Sequence, residues 1–262
     1  MFVIKANGES EKFDKKKIIR TCMRAELPMK EAKEVANKIE KNVTSGTSTK
    51  RIYKLILKEL QKYSEKSMFV YRIREAIARM DSEVFEKFVE KLLEEHGYMC
   101  SWNRIIKGEI VEHQVDLIAK NEMSYLVECK KHANPHRDCG LGETMEVWAR
   151  LDDINRGGRN HFDKAWIITN TKFSEHAKRY AEGKKIRLTG WRYKEEDSLE
   201  NLVKAKKLYP VAILSIDKRT VSMLEKNGFI TIKDVIKNEK KLGSKFGKKL
   251  AYEIVQQSGK LL

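Results

Sequence analysis

Two neighbouring strand-like runs constrain the fold of this chain more than any other feature of its sequence. They occupy residues 111–119 and 124–131, and the polar stretch 120–123 separates them. Short apolar runs bounded by polar turn residues are typical of paired β-strands. The sequence therefore predicts an antiparallel β-hairpin in this part of the chain.

Helical and extended patterns surround the hairpin. A helix is predicted after Asp81, because Phe85, Phe88, Val89 and Leu92 form one apolar stripe and Gly97 ends it. Further elements are predicted as a helix from about Thr144, a strand at 164–169, a helix at 173–181 and a strand at 186–188. The order α, β, β, α, β, α, β indicates a mixed α/β (α+β) domain.

The two ends of the chain have different patterns. Asn7-Gly8 predicts a β-hairpin turn, and three helices follow, one capped by Asp14, one at 29–39 and one after Thr49. Beyond about Lys204 the pattern is purely helical, with one last helix predicted to carry Leu242, Phe246, Leu250 and Ile254. We therefore expect three units, at 1–80, 81–203 and 204–262.

The charge balance restricts the partners of this protein. Lys and Arg number 54 against 38 Asp and Glu, a net charge of +16, which favours a polyanion such as nucleic acid. A lysine-rich, heat-adapted surface is the alternative explanation. No run is long and apolar enough for a membrane span, so we expect no membrane association, a cytoplasmic location and reduced cysteines.

Asp116, Glu128 and Lys130 are the strongest candidates for a reaction site. Glu128 and Lys130 are two residues apart on one strand, so they project from the same face, whereas Cys129 points away. Asp116 can reach that face from the neighbouring strand. Carboxylates are the ligands of Mg²⁺ or Mn²⁺, and an ammonium beside such an ion can orient an attacking water. A cross-strand ion pair on an exposed sheet face is the alternative.

The segment around these residues resembles the Mrr-type restriction endonucleases of the PD-(D/E)xK nuclease superfamily, over about residues 82–200. The resemblance rests on FEKFVEKLLEEHGY, EHQVDLIA, VECKKH and AWIITNTKFSEHAKRYAEGKKIRL. It implies metal-dependent DNA cleavage, and Glu86 matches a helix glutamate that joins the metal ligands in such enzymes. The chain departs from the motif before Asp116, where no proline is present and His113 and Gln114 occupy the nearby positions. We expect His113 to be structural or to orient a ligand.

The N-terminal segment resembles the ATP-cone, a regulatory nucleotide-binding module, over residues 1 to about 78. VIKANGESEKFDKKKI and VYRIRE, with Tyr71 and Arg72, carry the resemblance. It implies that ATP or dATP binds at Lys5, Glu11, Lys17 and Thr49, with both lysines meeting phosphates. Ala6 stands where the family usually has arginine. The alternative is a small helical domain whose lysines contact DNA.

Two further motifs contain candidate binding residues. GSKFGKK at 243–249 resembles a helix-hairpin-helix turn, in which Gly243, Lys245, Gly247, Lys248 and Lys249 would contact DNA phosphates. A lysine-rich helical bundle that only packs on the central domain is the alternative. The spacing of His132, His136 and Cys139 suggests zinc, but Pro135 interrupts it and no fourth ligand is evident, so we expect an ordinary loop.

These observations predict a Mg²⁺-dependent endonuclease that cuts double-stranded DNA, of restriction type and regulated by ATP or dATP. Two alternatives are a nuclease for repair or junction processing and an ATP-responsive DNA-binding regulator without cleavage. The sequence leaves open the DNA sequence recognised and the oligomeric state, with a homodimer among the options.

Overall fold

The computed structural model describes residues 1–134 and 137–262. The chain folds as two compact units, residues 1–73 with Leu261 and residues 74–260 with Leu262. All four cysteines are free. No helix in the described ranges has both the length and the apolar character needed to cross a membrane.

The first unit combines a small sheet with helices. Its elements are β1 (Phe2–Ile4), β2 (Ser10–Lys12), α1 (Lys15–Arg24), α2 (Met29–Asn42), β3 (Thr47–Ser48), α3 (Thr49–Tyr63) and α4 (Glu65–Arg79), the last of which continues into the second unit. β1 pairs antiparallel with β2, as the sequence predicts, and parallel with β3, which the sequence analysis did not anticipate.

Local chemistry explains the boundaries of these elements. Gly8 adopts φ +86° in the β1–β2 turn, a conformation that glycine accepts without strain. Asp14 caps α1 by accepting a hydrogen bond of 2.8 Å from the Lys16 amide. Ser48 caps α3 through the Arg51 amide, so Thr49 is the first residue of that helix.

The second unit contains a five-stranded mixed sheet with helices around it. Its elements are α5 (Ser82–Glu95), β4 (Met99–Lys107), β5 (Glu112–Lys120), β6 (Ser124–Lys130), β7 (Asp138–Cys139), α6 (Leu141–Arg156), β8 (Lys164–Thr169), β9 (Lys172–Phe173), α7 (Glu175–Gly183) and β10 (Arg187–Thr189). The predicted mixed α+β architecture is confirmed.

The strand order of the sheet is β10-β8-β6-β5-β4. β4, β5 and β6 form an antiparallel meander, and β8 and β10 extend the sheet in parallel with β6. Strand β4 was not predicted from the sequence. Most of its side chains are exposed or only partly buried, because it is an edge strand, so no apolar alternation marks it.

The core of this unit fixes the helices to the sheet. Val147 and Ile154 of α6 and Ala177 of α7 pack in one buried cluster with Leu126 and Ile167 of the sheet. Full burial of each large aliphatic side chain contributes roughly 1.5–3 kcal/mol to folding. The strands and α6 are therefore held in a defined mutual position.

The C-terminal part of the second unit is helical, with α8 (Leu199–Ala205), α9 (Lys218–Lys226), α10 (Ile232–Lys237), α11 (Glu239–Phe246) and α12 (Lys248–Gly259). The prediction of one last helix through Leu242 and Ile254 is wrong. Gly247, with φ +86°, divides that run into α11 and α12. Helical spacing continues across the glycine, so apolar periodicity alone could not detect the turn.

Candidate active site

The hydrogen-bonded ladder of the central sheet is interrupted at Asp116. Cross-strand pairing between β4 and β5 passes from Trp102–Leu117 to Arg104–Val115, and pairing between β5 and β6 stops at Leu117–Val127. The Asp116 carboxylate instead accepts a hydrogen bond of 2.8 Å from the Cys129 amide of β6. This contact holds the carboxylate of Asp116 beside the strand that carries Glu128.

Glu128 lies at the centre of an ion-pair network. It is 4 % exposed, and its Oε1 atom lies 2.6 Å from Lys130 Nζ, as expected for two residues on one face of a strand. Its Oε2 atom accepts a hydrogen bond from Arg150 of α6, whose second terminal nitrogen lies 3.0 Å from Glu146. Both oxygens of this buried carboxylate are therefore paired with cations.

The electrostatics of the site follow from burial and from crowded negative charge. Burial raises the pKa of Asp116 to about 7, and the charges of Glu128 and Glu86 add to the rise. Burial alone would lower the pKa of Lys130, but its hydrogen bond and ion pair with Glu128 outweigh that effect and raise it. A further cation near Asp116 would therefore be favoured.

Glu86 of α5 belongs to the same electrostatic group. Burial raises its pKa, the hydrogen bond from Trp102 opposes the rise, and the charge of Glu128 adds to it. The Trp102 Nε1 atom donates that hydrogen bond over 3.0 Å, and the Lys87 ammonium lies 4.4 Å from the centre of the indole ring. The structure thus brings all four predicted residues of this site into one neighbourhood.

His113 pairs with a carboxylate outside the group formed by Asp116, Glu128 and Glu86. Its Nε2 atom lies 2.7 Å from Asp153 of α6, and Gln114 donates a hydrogen bond to Asn103 of β4. A Cβ atom at Gly108 would lie 2.0 Å from Asp153 Oδ2, so the tip of the β4–β5 hairpin requires glycine there. The contact between His113 and Asp153 therefore fastens this hairpin to α6, which fits the structural role expected for His113.

Three other side chains of different chemistry come together near the end of β6. His132, Cys139 and Glu143 place their ligand atoms within 4.8 Å of one another. His136, which the sequence grouped with His132 and Cys139, lies outside the described residues. Glu143 was not anticipated, because it comes from the first turn of α6 and its closeness depends on the tertiary fold.

The residues predicted for nucleotide binding are placed within the first unit. Glu11 of β2 forms ion pairs with Lys5, at 3.3 Å, and with Lys17 of α1. Thr49 begins α3. A separate cavity of 680 Å³ in this unit is lined by none of the four.

The predicted DNA-binding residues lie around the α11–α12 turn. Gly247 forms the turn, and Lys248 and Lys249 lie exposed in the first turn of α12. Lys245 is also exposed and donates a hydrogen bond to Asn227. Gly243 is inside α11, where an added Cβ would make only ordinary van der Waals contact with Ala251 of α12 at 4.0 Å, so helix packing does not require glycine there.

Arg150 is the main residue of the site that sequence reasoning missed. It lies 22 positions after Glu128 on a helix, and no strand periodicity connects the two. An i, i+4 spacing with Glu146 was the only local signal, and such pairs are common on exposed helices.

Comparison with protein families identifies two segments. Residues 1–77 match the ATP cone domain, and residues 77–191 match a restriction endonuclease model of the Mrr catalytic type. The carboxylate site lies inside the second match, and the Lys5, Glu11 and Lys17 cluster lies inside the first.

Individual proteins are similar to parts of this chain. An uncharacterized protein of Archaeoglobus fulgidus is 40% identical over 175 residues, which cover 66% of this chain and 98% of the relative. The crystal structure of AF1548, a protein of unknown function, has 38% identity and a TM-score of 0.61, covering 69% of this chain and 98% of its own. Can2 from Sulfobacillus thermosulfidooxidans, in complex with cyclic tetra-adenylate, is similar only at 12% identity and a TM-score of 0.34, covering 77% of this chain and 63% of its own. The chain belongs to the family of the Archaeoglobus protein and joins an N-terminal ATP cone to a Mrr-type restriction endonuclease domain.

Proposed function

We propose that this protein is a Mg²⁺-dependent endonuclease that hydrolyses phosphodiester bonds of double-stranded DNA, in a restriction-type role regulated by ATP or dATP. The observation that carries the proposal is the buried group formed by Asp116, Glu128 and Lys130 inside the segment that matches a restriction endonuclease. The excess of basic residues is consistent with a DNA substrate.

The donor set fits a hard divalent cation. Asp116, Glu128 and Glu86 offer carboxylate oxygens alone, which suit Mg²⁺ or Mn²⁺ and not the softer metals. Burial raises the pKa of Asp116, and the nearby charges of Glu128 and Glu86 add to the rise, so a cation beside this carboxylate is favoured. When bound, the cation would neutralise charge on the phosphate and activate water. Asp116 and Glu128 would hold it, with Glu86 as a third ligand.

Lys130 is suited to a role as a cation. Its pKa is raised above the ordinary value, so the ammonium stays protonated at neutral pH. It can then orient the attacking water through a hydrogen bond and stabilise the charge that develops on the phosphate.

Arg150 is suited to hold the phosphate. Its guanidinium is planar, remains charged and binds phosphate oxygens in pairs. In the structure it bridges Glu128 and Glu146, and it lines a cavity of 510 Å³ together with His113 and Trp148. A phosphodiester that enters beside Glu128 would therefore meet both Lys130 and Arg150.

A plasmid-nicking assay tests the proposal. Supercoiled DNA should be nicked or linearised with Mg²⁺ or Mn²⁺ and remain intact with EDTA, whereas Ca²⁺ should support binding without cleavage. ATP or dATP should change the rate without being hydrolysed, because the chain has no P-loop. DNA binding with no cleavage under any divalent ion would contradict the nuclease and favour the DNA-binding regulator.

A further inference from the structure

A second group of metal-binding side chains lies outside the carboxylate site. His132 follows the end of β6, Cys139 belongs to β7 and Glu143 lies in the first turn of α6. Their ligand atoms are within 4.8 Å of one another. They come from three different elements, so their closeness results from the tertiary fold and not from a local charge run.

The backbone of His132 is held rigidly. Its amide donates to Asn170 Oδ1 over 2.8 Å, and its carbonyl accepts from Asn170 Nδ2 over 2.8 Å. Asn170 is fully buried. The Nε2 atom of His132 is also buried, and none of the described residues provides it with a hydrogen-bond partner. Buried polar nitrogens are rarely left in this state, so the atom is available to bind a metal ion.

The other two side chains are held in position as well. Cys139 is fully buried, and its strand pairs with β9 through Phe173. Glu143 Oε2 accepts a hydrogen bond of 2.9 Å from the Gly140 amide, which directs the carboxylate back across the start of α6. One nitrogen, one sulfur and one carboxylate oxygen thus face a common point.

We propose that His132, Cys139 and Glu143 bind one Zn²⁺ ion. Imidazole and thiolate suit zinc, whereas Mg²⁺ takes oxygen ligands, so this site and the carboxylate site select different metals. Zinc bonds of about 2.0–2.3 Å require ligand atoms roughly 3.5 Å apart. Side-chain rotations that move the ligand atoms by about 1 Å bring them to that separation. Water completes the tetrahedron.

Charge balance supports the same ion. A thiolate and a carboxylate carry two negative charges, and the neutral imidazole adds none, so Zn²⁺ gives a site with no net charge. Cys139 releases its thiol proton to solvent when the sulfur–zinc bond forms. The ion would link the segment after Lys130 to the start of α6, which carries Arg150, and so it would stabilise the frame of the active site.

Cobalt substitution tests the proposal on the full-length chain. After removal of metals with EDTA, one equivalent of Co²⁺ should produce an absorption band of the cobalt–thiolate type, and Zn²⁺ should abolish the band by displacement. The Cys139→Ser variant should lose the band. Cys100→Ser, which removes a half-buried thiol elsewhere, and Asp116→Ala, which alters the carboxylate site, should both retain it.

Two further variants keep the test decisive if Cys139→Ser does not fold. Glu143→Gln, which can still accept the Gly140 hydrogen bond, and His132→Ala should each weaken Co²⁺ binding at least tenfold and shift the band. Zinc should also raise the thermal midpoint of the parent by roughly 5 °C at a hundredfold excess over its dissociation constant. Absence of a thiolate band in the parent, or a band unchanged in both variants, would overturn the proposal without bearing on DNA cleavage.

Discussion

Lysine and glutamate form ion pairs in two regions of this protein, under very different solvation. In the first unit, the side chains of Lys5, Glu11 and Lys17 are 40%, 29% and 56% exposed. In the central sheet, the side chains of Glu128 and Lys130 are 5% and 24% exposed. Exposed pairs contribute little to stability and rearrange easily, whereas each member of a buried pair depends on the other.

The difference in solvation suits the two regions to different modes of action. The exposed cluster can exchange its internal pairs for the phosphates of a nucleotide at little energetic cost. The buried group has fixed geometry and unbalanced charge, which suit it to bind a cation and stabilise a transition state.

Loss of the buried charges should have the largest effect. We expect Asp116→Ala, Glu128→Ala and Lys130→Ala each to reduce Mg²⁺-dependent cleavage by at least about 10³-fold, because each removes a metal ligand or a charge that stabilises the transition state. DNA affinity, measured by fluorescence anisotropy, should change little. Lys17→Ala is the control from the exposed cluster and should cut at the parental rate without nucleotide. Equal losses from Lys17→Ala and Lys130→Ala would remove the distinction between the two regions.

Asp116→Asn should stabilise the metal-free protein at high pH. The pKa of Asp116 in the folded state is about 7, above its ordinary value of 3.8, so the folded state binds the proton more tightly. This group therefore lowers stability progressively as the pH rises from about 4 to 7, and its effect is largest above pH 7.

Asparagine removes that penalty and can still accept the Cys129 hydrogen bond. Since one pKa unit corresponds to about 1.4 kcal/mol, we expect a gain in the free energy of unfolding of more than about 1 kcal/mol at pH 8 and little at pH 4. Urea titrations in the presence of EDTA would measure this gain in the free energy of unfolding. Glu122→Gln, in the exposed β5–β6 turn, is the control and should change stability far less. A gain that is the same at both pH values would mean that ionisation of the Asp116 carboxyl does not destabilise the folded state.

Removal of the lysines at the α11–α12 turn should have a moderate effect on DNA binding. Each phosphate contact contributes about 0.9 to the slope of log affinity against log salt. The triple variant of Lys245, Lys248 and Lys249 to alanine should therefore lower that slope by up to about 3.

The control for this turn is the double variant Lys240→Ala with Lys241→Ala. It removes two exposed lysines of α11 that lie away from Gly247. Point variants are preferable to deletion of the C-terminal helices, because deletion would leave Lys91 and Glu95 of α5 without their partners.

 These partners form ion pairs, Lys91 with Asp234 at 2.9 Å and Glu95 with Lys233 at 2.7 Å. A salt slope that is unchanged in the triple variant would identify the turn as a packing element.

The smallest effect on stability is expected in the exposed cluster. Lys5→Ala and Lys17→Ala should each change the free energy of unfolding by less than about 1 kcal/mol, because solvent screens these pairs. They should nevertheless abolish the response to ATP or dATP, which calorimetry on the full chain would measure. Lys66→Ala, which removes an exposed pair with Glu26, should keep the response. No heat with either nucleotide at millimolar concentration would indicate that Ala6 marks a cone that no longer binds nucleotide.

The parts of the fold that local periodicity encodes were predictable. The strand Lys164–Thr169 was predicted at its observed limits, and the two-residue period placed Glu128 and Lys130 on one face. Strand β4 was not predictable, because most of its side chains are exposed or only partly buried and Asn103, with φ +50°, interrupts its regular geometry.

The parts of the site that depend on tertiary packing were also beyond the sequence. Arg150 reaches Glu128 only because buried contacts hold α6 against the sheet. Glu143 joins His132 for the same reason, although neither its spacing nor its neighbours in the sequence indicate a ligand. Local patterns therefore identified the strand residues of the site but not the helix residues that complete it.

The interrupted ladder at Asp116 has an evolutionary consequence. Continuous pairing of β6 with β8 maintains the sheet without any contribution from position 116. A mutation at position 116 can therefore change the chemistry of the site and leave the pairing of β6 with β8 in place. A lineage released from selection for cleavage could gain stability by a single substitution at this position, so the persistence of aspartate here among descendants would itself record continued use of the site.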